Sequence, residues 1–162
     1  MIREGSAMKI GVLALQGAFA EHIRMLRELG LDALEIRLPK EIQGLDGLII
    51  PGGESTAIGK LMVSYGLMDP VRRFAQNHAV WGTCAGMILM AKDSGRYQAG
   101  LEMMDIIVER NAFGRQIDSF EADLDITLFP DVPYHAIFIR APVVTAVHNG
   151  VNVLGSLRDG RI

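Results

Sequence analysis

Two short runs, Ile10-Gly11-Val12-Leu13-Ala14-Leu15 and Gly47-Leu48-Ile49-Ile50, are apolar with almost no alternation. A strand that reads this way is buried on both faces, and a parallel sheet covered by helices provides such a place. What lies between and after these runs fits. From Ala18 to Leu29 the apolar residues Phe19, Ile23, Leu26 and Leu29 recur at helical spacing, and Gly30 is placed to end the helix. Leu34 to Arg37 reads as a second strand. Asp69-Pro70 reads as an N-cap followed by Pro at the first helical position, opening a helix through Asn77. Ala79-Val80-Trp81-Gly82 reads as a fourth strand and Ala85 to Lys92 as the next helix. Strands alternating with helices predict an α/β domain of three layers, with a mostly parallel central sheet and helices on both faces.

The second half is richer in strands. Met104–Glu109, Phe120–Ile126, Ala136–Arg140 and Val151–Leu157 are β candidates, expected to form a small antiparallel extension. Asp159-Gly160 is a hairpin signal with only two residues after it. The expectation is a return strand beyond Ile162, hence a natural protein longer than this sequence. The pattern forms one domain over 8–162, with 1–7 a leader or an added remnant. At 162 residues the chain has room for one ordinary domain with a real core.

Charge and cysteine content narrow the function classes. A net charge of −3 gives no electrostatic reason to bind nucleic acid or an anionic membrane. No apolar run approaches the ~20 residues that span a bilayer, and the N-terminus lacks the apolar core of a secretory signal. A single cysteine makes no intrachain disulfide and no cysteine-based zinc site. The expected compartment is a reducing one, the cytoplasm.

That cysteine sits in Gly82-Thr83-Cys84-Ala85-Gly86, between a buried strand and a helix. This is the G-x-nucleophile-x-G pattern of a nucleophile elbow, whose turn needs small neighbours because strand and helix approach closely. A helix N-terminus favours thiolate, and the Ala85 N–H is placed to meet an oxyanion formed on a substrate carbonyl. The competing reading is a buried structural cysteine. Gly52-Gly53-Glu54-Ser55 follows the third strand at its carboxyl end, where open α/β sheets bind ligands. It is not a Walker A loop: Gly59-Lys60 is followed by Leu61, and Glu54 stands where the first glycine belongs. A plain strand-to-helix turn is its bland alternative. Asn111-Ala112-Phe113-Gly114-Arg115-Gln116 combines amide, guanidinium and aromatic groups suited to an amino-acid ligand, or forms a solvated loop. None of the histidines, His22, His78, His135 and His148, has an acid partner at an obvious spacing, and each reads as structural.

Together these segments resemble the triad-type family of glutamine amidotransferases, and within it the glutaminase subunits of pyridoxal 5′-phosphate synthases. The elbow and Pro51-Gly52-Gly53-Glu54-Ser55-Thr56 carry the broader likeness. Leu13-Ala14-Leu15-Gln16-Gly17-Ala18 with Glu21-His22, Glu109–Gln116, Ser119-Phe120-Glu121 and Phe138-Ile139-Arg140-Ala141-Pro142 carry the narrower one, which runs from about Lys9 to the chain end. The resemblance implies that Cys84 attacks the side-chain amide of L-glutamine. Gly52, Gly53 and Ala85 would hold the oxyanion. Gly52, Gly53, Glu54, Arg110, Ile139 and Arg140 would bind the substrate, with Arg110 or Arg140 on its carboxylate and Glu54 on its ammonium. Gln16 and Glu21 would lie at the contact with a separate synthase subunit that receives the ammonia. No cofactor and no metal are implied. The family's His-Pro-Glu, which completes the triad, does not occur here, and its His and Glu are expected beyond Ile162. Two other readings remain: a redox or stress protein that uses the same elbow without amidase activity, and a structural subunit that has lost turnover.

Overall fold

The computed structural model describes residues 7–95, 99–110, 119–139, 141–148 and 150–162. It is an α/β chain that divides into two compact units, 1–90 with 97–103, and 91–96 with 104–162.

The first unit holds the parallel sheet. Strands β1 (Lys9–Leu13), β2 (Asp32–Ile36), β3 (Gly47–Ile50) and β4 (Ala79–Gly82) lie in the order β2-β1-β3-β4. Gly47 to Ile50 is buried throughout, as its unbroken apolar run predicts. Helix α1 (Phe19–Glu28) joins β1 to β2; α2 (Ser55–Ser64) and α3 (Met68–Ala75) join β3 to β4. The two crossovers step outward in opposite directions, so right-handed connections put α1 on one face and α2 with α3 on the other. Ile23 of α1 packs with Val12, Ala33 and Ile49, flanked by Ile10, Phe19 and Leu26. Phe19, Ile23 and Leu26 are three of the four residues whose spacing predicts the helix; the fourth, Leu29, is exposed. Burying four to six such side chains gives about 1.5–3 kcal/mol each, before the entropy of ordering the chain is subtracted.

Three local expectations are corrected. Helix α3 starts at Met68 rather than after an Asp69 cap, so Asp69 lies inside the first turn, where its carboxylate pairs with Arg72 at 3.0 Å. Helix α4 stops at Met90, and Ala91–Asp93 continue as strand β5. The expected strand over Val151–Leu157 is irregular: the backbone and hydroxyl of Thr127 both donate to the Leu154 carbonyl. The strand of that region is β9 (Val143–Val147) instead. Its β-branched run between Pro142 and the His148 turn was available as a signal.

The second unit combines β5, β6 (Met104–Glu109) and β9, with β5–β6 parallel and β6–β9 antiparallel, and an antiparallel hairpin of β7 (Ser119–Leu124) and β8 (Tyr134–Ile139). Asp159-Gly160 does form a tight turn. The Leu157 N–H donates to the Arg161 carbonyl at 2.8 Å, Gly160 has φ of +86°, and the Val144 N–H donates to the Ile162 carbonyl at 2.9 Å.

The β7–β8 register also corrects the reading of His135. Asp123 pairs directly with His135, and Glu121 is two residues along on the same face. Nδ1 lies 2.8 Å from Asp123 and Nε2 3.1 Å from Glu121. Hydrogen bonds donated by its ring nitrogens to these two carboxylates raise the imidazole above its usual range although the ring is exposed. Its stabilising contribution is therefore full below pH 6.5 and fades as pH climbs through the raised value. Replacing His135 by Gln should flatten that part of the melting-temperature profile while leaving the alkaline end alone. An unchanged profile would show that the cluster adds nothing to stability.

Candidate active site

The elbow is built as its glycines require. Cys84 has φ of +49°, in the left-handed region, and leads directly into α4 (Ala85–Met90). A Cβ on Gly82 would come within 2.6 Å of the Gly86 carbonyl carbon and 2.7 Å of Met90 Sδ, and one on Gly86 would overlap the Ile50 carbonyl oxygen. Strand β4, helix α4 and strand β3 can thus pack together only without those side chains. The Thr83 N–H donates to the Ile50 carbonyl at 3.0 Å, and the Gly86 N–H donates to the Thr83 carbonyl at 2.8 Å. Cys84 itself is exposed. The structural-cysteine alternative fails here, because a side chain kept for packing is buried and unstrained.

The glycine pair lies beside Cys84. A Cβ on Gly52 would stand 3.4 Å from Cys84 Cβ. The loop ahead of α1 holds this turn from behind. The Ala18 N–H donates to the Gly52 carbonyl at 2.9 Å, and the Gln16 side-chain carbonyl accepts from the Glu54 N–H at 2.8 Å. A trans peptide directs its N–H opposite its C=O, so the Ala18 bond also sets the direction of the Gly53 N–H. Gly17 makes this approach possible, with φ of +97° and no side chain to strike the Gly52 carbonyl. Gly53 likewise has no room for a Cβ, which would sit 2.6 Å from Gln16 Oε1. The structure therefore brings Gln16, Gly52, Gly53, Cys84 and Ala85 into one neighbourhood. Sequence reasoning gave Gln16 to the subunit contact and missed its bond to the turn. That bond joins residues 38 apart and leaves no local pattern.

Glu54 is the N-cap of α2, accepting from the Thr56 N–H at 3.0 Å and the Ala57 N–H at 2.6 Å. A carboxylate has about four acceptor sites, so a cap still leaves capacity for a ligand ammonium. Glu21 is exposed on α1. Arg110 follows β6 and Ile139 ends β8, both in the second unit. Arg140 and Asn111–Gln116 lie outside the described residues.

The histidines are engaged elsewhere than with the cysteine. The His78 ring stacks on Phe74 at 4.4 Å and the His135 ring is held by its two carboxylates, while His148 follows β9, its backbone N–H donating to the Asp105 carbonyl. His22 bonds Thr83. Among the described residues no group of His, Cys, Asp and Glu is arranged to hold a metal ion, and no helix is long and apolar enough to cross a membrane.

A cysteine elbow facing a glycine turn is a geometry for acyl transfer from an amide, and comparison with known proteins specifies which kind. The model of the SNO glutamine amidotransferase family matches residues 12–162. The chain belongs to that family. The pyridoxal 5′-phosphate synthase subunit PdxT of Herpetosiphon aurantiacus is 53% identical over 160 residues, covering 96% of this chain and 84% of the relative. The PdxT of Dehalococcoides mccartyi is 56% identical over 157 residues, covering 94% and 80%. A crystal structure of a glutamine amidotransferase superposes with a TM-score of 0.88 at 47% identity, covering 94% of this chain and 82% of that one. PurLQS of Thermotoga maritima shares the fold alone, at 14% identity and a TM-score of 0.62.

Proposed function

We propose that the chain is the glutaminase subunit of a pyridoxal 5′-phosphate synthase. It hydrolyses L-glutamine to glutamate and ammonia, and the ammonia passes to a separate synthase subunit. The observation that carries this reading is Cys84, exposed in a strained elbow and facing Gly52, where an added Cβ would come within 3.4 Å of its Cβ. The family match and the PdxT relatives set the substrate and the partner.

The Cys84 thiolate attacks the side-chain amide carbon of glutamine. The carbonyl oxygen becomes an oxyanion, met by the Ala85 N–H and by the amides of the glycine turn. Because the Gly86 N–H is committed to the Thr83 carbonyl, Ala85 is the elbow amide that serves. Collapse breaks the carbon–nitrogen bond, the nitrogen takes up the proton that the thiol released and leaves as ammonia, and a γ-glutamyl thioester remains. Water then releases glutamate and regenerates the thiol. Glu54, Arg110, Ile139 and Arg140 bind the amino-acid end. Gln16 and Glu21 lie toward the synthase subunit, Gln16 reaching it through the loop that also steadies the glycine turn. A redox sensor needs neither the second glycine turn nor its support. A nucleophilic thiol works where it stays reduced, which supports the cytoplasm as the place of action.

Two measurements test this reading. Mixed with the synthase subunit, the protein should co-elute on size exclusion and release ammonia from glutamine; failure of both would overturn it. Replacing Arg110 by Ala should raise KM about ten- to a hundredfold, the cost of one hydrogen-bonded charge contact, with an unchanged melting temperature. A lowered melting temperature with normal KM would make Arg110 structural.

A further inference from the structure

One polar contact at the elbow has no part in the chemistry above. His22, half-buried on α1, places Nε2 3.2 Å from Thr83 Oγ1. Its ring meets Trp81 edge-on, with centroids 5.8 Å apart and planes at 77°. Trp81 and Thr83 are two residues apart at the carboxyl end of β4, so both side chains project to the face that α1 covers. We infer that His22 is a positioning residue for the nucleophile elbow, fixing the rotamer of Thr83, the residue immediately before Cys84. The inference rests on Cys84 being the nucleophile.

The backbone of Thr83 is already held, its N–H by Ile50 and its carbonyl by Gly86. What remains free is rotation about χ1, and threonine divides between rotamers when its hydroxyl has a choice of partners. The choice matters because Thr83 Oγ1 lies 3.9 Å from the point a Cβ on Gly52 would occupy. A turned Thr83 would present its methyl group to the glycine turn in place of the hydroxyl. The imidazole is suited to holding the hydroxyl without adding charge. Burial lowers its pKa below the usual value, and the Glu21 carboxylate, the charged neighbour that acts on it, opposes this only in part. No carboxylate hydrogen-bonds the ring among the described residues, so burial is the dominant influence on His22 and favours the neutral imidazole.

Trp81 is the one tryptophan of the sequence, so intrinsic fluorescence reports on its neighbour. Imidazolium beside an indole quenches it. The emission of the whole protein should titrate with a midpoint below 6.5, and His22→Gln should abolish that titration. The second readout is the rate at which iodoacetamide alkylates Cys84, which needs neither glutamine nor the synthase subunit. His22→Ala and Thr83→Val should each change that rate by about three- to tenfold, the range of one neutral hydrogen bond. The double variant should go no further than either single one. His22→Gln and Thr83→Ser, which keep a hydrogen-bonding group in place, should restore most of the rate. Additive effects, or failure of both conservative variants to restore the rate while the melting temperature stays normal, would overturn the inference. If wild-type protein with its synthase subunit releases no ammonia while these coupled rates persist, the proposed function fails and the positioning role stands.

Discussion

Cys84→Ala, assembled with the synthase subunit, is expected to release no measurable ammonia, a loss on the order of 10⁴ or more, because no other group opens the covalent route. Glutamine binding should survive, since the binding groups proposed here are the glycine turn, Glu54 and the Arg110 region. The variant has little reason to unfold, because Cys84 is exposed and removal of its sulfur leaves no cavity. Positive φ is the one cost, and alanine bears it as cysteine does. A glutamine-like electrophile should label wild-type protein once, at Cys84, and leave the variant unlabelled. Appreciable ammonia release by Cys84→Ala would remove the nucleophile assignment and leave the family fold without its mechanism.

Gly86→Ala should have the second-largest effect, and for a different reason. Helix propensity favours alanine by about 1 kcal/mol, so propensity taken alone predicts stabilisation. The added methyl group, however, would overlap the Ile50 carbonyl oxygen and approach Ile50 Cβ at 3.1 Å. Ile50 is buried backbone in the middle of the sheet and cannot rotate away. Overpacking of this kind costs about 1–3 kcal/mol and more against rigid atoms. For a chain of 162 residues that corresponds to a melting temperature lower by about 2–12 °C. The strain would be relieved by tilting α4 away from β3. Cys84 would then move relative to the glycine turn, and a displacement of about 1 Å costs around a hundredfold in rate. Gly100→Ala is the matched control, because its Cβ would meet nothing nearer than the Leu89 carbonyl oxygen at 3.6 Å. A Gly86→Ala protein with normal melting temperature and normal ammonia release would show that the close approach of helix and strand is not what the elbow requires.

These expectations draw unequally on sequence and structure. β3, β4 and β6 are found at their predicted residues; for β3 the reason is that an apolar run with no polar alternation is stable where both faces are covered, and all four of its residues are buried. The elbow was legible for a related reason: Gly82 and Gly86 bracket Cys84 at the only spacing that lets a helix leave a strand at contact distance. The family likeness came from side chains in fixed order. Local signals failed where two outcomes cost nearly the same. Asp69-Pro70 suits both an N-cap and a first turn, and in the structure Asp69 lies in the first turn, paired with Arg72. Val151–Leu157 and Val143–Val147 are comparably strand-like, and only pairing with β6 selected the second.

What the sequence determined by itself was which segments must be buried and which cysteine must be strained, because burial preference and the space around a glycine are properties of the residues. Which side chains meet across the fold was decided by the tertiary structure alone. His135 acquired two carboxylates through a cross-strand register, and Gln16 reached the Glu54 amide across 38 residues. His22 found Thr83 across 61. Each such bond is far too weak to dictate the fold that brings its partners together, and so it leaves no trace in the pattern that does.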